Sequence, residues 1–178
     1  MKSAFRRLLE RTRGKSLIEF DRRPKIHERT AGYVVGFGDT LILMHQLDWD
    51  VFVLNGYCLI RISDVRNYRI FSRDCYWQCK AARQKSFRPI APEISVATWR
   101  SAISGAAESF PLLCFETELR LPDKLWVGKP VAMTEKTLTV RGLDPYAEWC
   151  ANSRFHFEDL TKVQFGGGYE SALALSMK

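Results

Sequence analysis

No stretch of this chain is long and apolar enough to cross a membrane as a helix. Its mostly apolar runs, such as Leu41–Met44 and Val51–Leu54, are only a few residues long, against the roughly 20 that a bilayer core demands. The N-terminus is basic but has no uninterrupted apolar stretch behind its charges, so neither a secretory leader nor membrane insertion is expected. Cysteine is sparse and odd in number, five in 178 residues. That excludes a dense disulfide framework and makes a reducing cytoplasm the expected compartment. Histidine is scarcer still: His27, His45 and His156 are scattered.

These shortages thin out the chemistry. Cys75-x-x-x-Cys79 puts two thiols on one helical face, but no further ligand lies close enough in sequence to complete a zinc site. Gly166-Gly167-Gly168 has the makings of a backbone anion nest. No Lys-Ser/Thr follows it and no G-x-G-x-x-G surrounds it, so a flexible exit into a helix over Glu170–Met177 is the simpler reading. Asp48 and Asp144 occupy matching positions before turns, which points to turn capping rather than to paired catalytic carboxylates. The expectation is a protein that is not an enzyme, with no cofactor and no metal.

Apolar residues make up 46% of the chain and aromatics 12%, enough to fill a core. The net charge of +7 is unevenly spread. Residues 1–30 carry ten Lys/Arg against four Asp/Glu, and residues 66–100 carry eight against two. The remaining stretches are mildly acidic.

Self-similarity organises the rest. Setting Leu17 on Leu113 aligns Gly32 with Gly128, Val35 with Val131, Leu47 with Leu143 and Asp48 with Asp144. After one deletion, Ile60–Val65 falls on Phe155–Leu160, and Tyr68 and Ile70 fall on Val163 and Phe165. Each copy alternates like short strands, with Gly38-Asp39 and Asn55-Gly56 as turn signals in the first. Ser63-Asp64-Val65 resembles one helical turn. Between the copies, Asp74 is positioned to cap a helix running to Lys85. Val96, Trp99, Ile103, Ala106 and Phe110 then space an amphipathic helix that Pro111 ends. The extreme N-terminus is a further helix, with Phe5, Leu8 and Leu9 on one side and Gly14 as its stop.

The order of elements resembles the Sm-like family, which includes the bacterial Hfq proteins. The resemblance rests on Gly32-Tyr-Val-Val35, Asp39, Leu41–Met44 and the passage Leu59–Ile70, repeated from Gly128 to Phe165. It implies a mainly β chain with added helices: two tandem Sm-like, SH3-like five-stranded barrels joined by a helical linker. The divisions are a basic N-terminal helix over 1–14, one barrel over 15–72, the linker over 73–110, and a second barrel with its C-terminal helix over 111–178. Such barrels pair edge strands between subunits and bind RNA bases around a pore. Here Arg61-Ile62-Ser63 and His156-Phe157-Glu158 stand where the family's base-recognising residues would be, and neither matches the family's pattern. A general likeness to bacterial tandem-barrel proteins of unassigned function extends to Phe165–Glu170.

The candidate nucleic-acid-binding residues are therefore the basic ones: Arg6, Arg7, Arg11, Arg13, Lys15, Arg22 and Arg23 in the leader, with Lys25 beside them, and Lys80, Arg83, Lys85 and Arg88 in the linker. Phe5, Phe20, Tyr76, Trp77 and Phe87 interleave with them as stacking and phosphate contact together require. RNA is the expected partner on this reading. The competing reading is a protein-interaction or homo-oligomeric assembly module, and an anionic membrane surface for residues 2–13 is a third.

Overall fold

The structure is a computed structural model that describes residues 3–23, 29–71, 77–85 and 87–177, without the side chains of Gln78, Cys79 and Arg83. Its first half is α1 (Ser3–Thr12), β1 (Leu17–Arg22), β2 (Thr30–Phe37), β3 (Leu41–Asp48), β4 (Val53–Arg61) and β5 (Val65–Ile70), with a 3-10 turn at Ile62–Asp64 before β5. Then come α2 (Trp77–Gln84) and α3 (Trp99–Ser109), followed by β6 (Leu113–Glu116), β7 (Leu125–Met133), β8 (Thr137–Leu143), β9 (Trp149–His156), β10 (Lys162–Phe165) and α4 (Gly168–Leu175). Among the described residues no helix is long and apolar enough to cross a membrane.

The mainly β architecture with helices is as expected, but the strands do not divide into two separate sheets. They form one open antiparallel sheet in the order β5-β1-β2-β3-β4-β10-β6-β7-β8-β9. Each half contributes five neighbouring strands in the same internal order, and the halves meet where β4 pairs with β10. Tyr57, Cys58, Leu59 and Ile60 face Phe165, Gln164, Val163 and Lys162 across that joint. An unpaired strand edge leaves backbone donors and acceptors without partners. The joint satisfies two such edges with each other.

The pairing repeats between halves in detail. Gly32 faces Gln46 as Gly128 faces Gly142, and both pairs of strands bulge at the same place, after Val34 and after Pro130. The next two ladders share a bulge as well, after His45 and after Arg141. The first strand is one residue out of the sequence alignment. Ile18, not Leu17, faces Gly32 and Ile70, as Leu113 faces Gly128 and Phe165. A one-residue slip moves every side chain to the other face of a strand. Ile18 and Phe20 accordingly point into the cluster with Val34, Ile42 and Ile60, while Leu17 joins Ala31, Tyr33 and Leu47 on the far side.

Asn55-Gly56 is not a turn; both residues lie inside β4. Gly56 has φ +69°, and a Cβ there would sit 2.4 Å from the backbone nitrogen of Gly167. The glycine permits close approach at the joint. The true turns are closed by the matched aspartates. Asp48 Oδ1 accepts the Asp50 and Val51 amides, and Asp144 Oδ1 accepts those of Tyr146 and Glu148. Asn55 spans from turn to joint: its amide donates to Asp48 Oδ2 and its oxygen accepts the Gly168 N–H at 2.7 Å. The glycine run is thus a tight helix entry rather than a loose exit, with Gly166 at φ +70° directly beneath the Phe110 ring.

The helix between the copies is shorter at its start than its apolar spacing suggests, because Thr98 and Ser101 form a reciprocal capping box. Its buried face, Ala102, Ile103 and Ala106, packs at once on Val35, Leu43 and Leu59 of the first half and on Leu113, Phe115 and Val163 of the second. The predicted cap Asp74, together with Cys75 and Tyr76, lies outside the described residues. After α2, the chain crosses β3, where the Ile90 N–H donates to His45 Nδ1 at 3.3 Å and His45 stacks on Tyr57.

Two measurements follow from this packing. Gly56→Ala has no room for its methyl and an unfavourable φ, so urea unfolding should show a loss of roughly 1–3 kcal/mol; an unchanged midpoint would remove the close-approach explanation. Desolvation lowers the pKa of His45 from its usual 6.5. The unfolded chain therefore takes up the proton first on acidification, and folding stability contributed by neutral His45 is lost as pH falls below about 6.5. Wild type should lose more stability between pH 7.5 and 5 than His45→Gln does, and parallel curves would contradict it.

Candidate nucleic-acid interface and the seam between the halves

The basic residues singled out above have very different surroundings. Arg22 is fully buried, with bidentate contacts at 2.7 and 3.0 Å to Glu118 of the second half, and its Nε donates to Thr30. It ties the halves together and has no face for a phosphate. Arg13 Nε donates to the Val35 carbonyl, anchoring the end of α1 to β2. Arg6 pairs with Glu10 and Asp39. Lys85 caps the β3–β4 turn through the Val51 and Phe52 carbonyls and lies over the Phe52 ring. Arg7, Arg11, Lys15, Arg23, Lys80 and Arg88 are exposed. The side chain of Arg83, and Lys25 and His27 entirely, lie outside the described residues.

The leader and linker tracts are separated by the sheet. Side chains alternate between faces along a strand. Leu8 and Leu9 of α1 pack with Ile18, Phe20 and Val34, whereas Ala82 of α2 packs with Leu17, Ala31 and Tyr33. The two helices therefore cover opposite faces of the same strands. The interleaved aromatics divide likewise. Phe20 is core and Phe5 packs edge-on against it, Phe87 stacks on Phe52, and Trp77 alone of the described set is largely exposed.

Strand β5, at one end of the sheet, presents Arg66, Asn67, Tyr68 and Arg69 to solvent in succession. Sequence reasoning passed over these residues because they were assigned to a barrel rather than to an outer edge. At the opposite end, Lys129 and Arg141 face each other across β7 and β8 and both lie over Trp149, at 5.6 and 4.9 Å from the ring centre. Alternation at spacing two in those strands carried that signal, but the mildly acidic total of the second half masked it.

A cleft of about 790 Å³ opens between the halves. Arg61, Ile62 and Ser63 line it from the first half, Phe157 and Glu158 from the second, and Trp99 from α3. These include most of the positions that the family resemblance assigns to base recognition. Electrostatically it suits an anion poorly. Arg61 is committed to Asp64 at 2.8 Å and to the Glu158 carbonyl at 2.7 Å, and Asp39, Glu135 and Glu158 line the walls.

The two buried thiols are poor nucleophiles, while Cys150 is exposed and Cys75 and the Cys79 side chain lie outside the described residues. Cys58 is buried and its pKa is pushed up to about 11 by desolvation, and burial also raises that of Cys114. Among the described residues no group of three His, Cys, Asp or Glu side chains is placed to hold a metal ion. No family model, curated protein or solved structure matches the chain.

The contrast between Arg22 and its exposed neighbours is measurable. Glu118→Gln leaves a buried guanidinium without its counter-charge, so stability should drop by about 3–5 kcal/mol in urea unfolding. Arg7→Gln should change it by less than about 0.5 kcal/mol. Equal effects would contradict the assignment of Arg22 to structure.

Proposed function

We propose that this chain is a β-sheet assembly module that joins copies of itself head to tail. The reading rests on one observation. Strands β4 and β10 join the halves, and their counterparts in the repeat, β9 and β5, are the end strands, each paired on one side only among the described residues. Carrying the joint's register over sets Asn152, Ser153, Arg154 and Phe155 of one copy opposite Ile70, Arg69, Tyr68 and Asn67 of the next. No like charges fall directly opposite each other there, which antiparallel pairing requires. Within the resemblance to Sm-like proteins, each half supplies one five-stranded unit of such an assembly.

Proline on an edge strand is tolerated where its missing N–H points outward, and it blocks pairing there. Of the neighbouring variants Ser153→Pro and Arg154→Pro, one removes an outward N–H and the other breaks the ladder to β8. At about 1 M salt, where the screening length is about 3 Å, light scattering should show wild type in multi-chain species. The folded proline variant should be a single chain. A wild-type protein that stays a single chain at all salt concentrations would overturn the proposal.

Binding of RNA or another nucleic acid through the leader is the second reading. It is favoured by Arg7, Arg11, Lys15 and Arg23 together with Arg66 and Arg69, all exposed and with no carboxylate partner among the described residues. Affinity for a labelled RNA should then fall linearly on a log–log plot against salt. A flat or absent signal at low salt would end this reading.

A further inference from the structure

The outward face of the sheet differs between the halves. In the first half it is covered: Tyr33, His45 and Tyr57 lie in one cross-strand row beneath the chain that follows α2, and Val35, Leu43 and Leu59 pack on α3. The repeat places Lys129, Arg141 and Asn152 in the first of these rows, and Val131, Thr139 and Arg154 in the second. Here α4 covers only the end near Val127 and Leu143. Lys129, Arg141 and Arg154 are exposed, with no carboxylate partner among the described residues.

Helix α3 has a counterpart in α1. Each packs on the second strand of its own half, and the buried positions Leu8, Leu9 and Thr12 recur at the same spacing as Ala102, Ile103 and Ala106. Outside that stripe α3 is small, with Ser104, Gly105 and Ala107 half-buried, and a Cβ on Gly105 would touch the Ile94 side chain at 3.4 Å. The corresponding residues of α1 are Glu10, Arg11 and Arg13. When a second copy pairs its β5 with β9, its α1 comes to the Val131–Arg154 row as α3 comes to Val35 and Leu59. Exposed Arg7 and Arg11 then lie on the helix that is brought up to the face carrying Arg141 and Arg154. The α3 contact inside the chain is apolar, whereas the corresponding contact between chains, the outer seam, brings Arg7 and Arg11, with Glu10 already tied to Arg6, to the cationic row of the second half. Close like charges of this kind oppose association unless neutralised.

We infer that this outer seam is a binding site for a phosphodiester chain, and that single-stranded nucleic acid is what allows copies to join. This rests on the head-to-tail pairing proposed above. Guanidinium groups suit phosphate through paired N–H donors. The register also brings exposed Tyr68 beside Arg154, a surface on which a base can stack; polyphosphate and acidic peptides have no base to place there.

The test measures mass by light scattering at about 0.05 M salt, where screening reaches beyond 10 Å, with and without a thymidine oligonucleotide. Wild type should be a single chain alone and multi-chain with the oligonucleotide. A triple variant, Lys129→Gln/Arg141→Gln/Arg154→Gln, and a double variant, Arg7→Gln/Arg11→Gln, should each join without it. Both should need at least tenfold more oligonucleotide for any further response. Wild type joining equally well without the oligonucleotide would overturn the inference and leave edge pairing intact. So would neutralised variants that still require it, or polyglutamate or inorganic polyphosphate acting as well as the oligonucleotide. Wild type that remains a single chain in every condition, high salt included, would overturn edge pairing itself.

Discussion

Everything in this molecule follows from the pairing of β4 with β10. A five-stranded half ends in two edges, and each edge is a row of backbone groups seeking partners. Joining the halves satisfies one edge of each and fixes their relation within one sheet. The shared core can form only because of this. The α3 face is wide enough to touch both halves, and Arg22 reaches Glu118 across the boundary because the strands hold the halves in register. The same pairing leaves β5 and β9 at the two ends of the sheet, the edges on which the proposed head-to-tail assembly rests.

Polar groups at the joint show how tightly it is specified. Lys162 and Glu116 form a buried ion pair at 3.0 Å, Gln164 donates to Gln46, and Asn55 ties the β3–β4 turn to the start of α4. Removing one member of such a set leaves an unpaired buried group, which costs more than the contact itself contributes. The backbones meet so closely that Gly56 cannot carry a side chain there, since its Cβ would run into the Gly166–Gly167 backbone. Hydrophobic burial holds the halves together, while these polar and steric features select one register among those that burial alone would accept.

Much of this was legible in the residues. The alignment of Gly32 with Gly128 and Asp48 with Asp144 anticipated a pairing that recurs bulge for bulge. The aspartates close turns, as their positions suggested. The first strand misled by one residue, because Leu17 and Ile18 are both apolar and only strand partners decide which faces inward. Asn55-Gly56 misled because positive φ and side-chain capping serve a close approach as readily as a hairpin. The basic residues were visible as a tally but not as a surface. Arg22 and Lys85 look like Arg7 and Lys80 in sequence, yet partners far along the chain, Glu118 and the Phe52 carbonyl, put them to structural use. The cationic face of β7–β9 was hidden for a related reason: its acidic neighbours in sequence line other parts of the fold.

The central claim is that β9 of one copy pairs with β5 of another in the register of the internal joint. Cysteines introduced at Ser153 and Arg69, in a background lacking Cys75, Cys79 and Cys150, test it directly. Directly opposed residues bring their Cβ atoms to about 4.5–5.5 Å, near disulfide range. Mild oxidation with single-stranded oligonucleotide present should yield a ladder of disulfide-linked chains, and a control pairing Ala151→Cys with Arg69→Cys should not. No ladder, or one of equal yield from the control, would contradict the account.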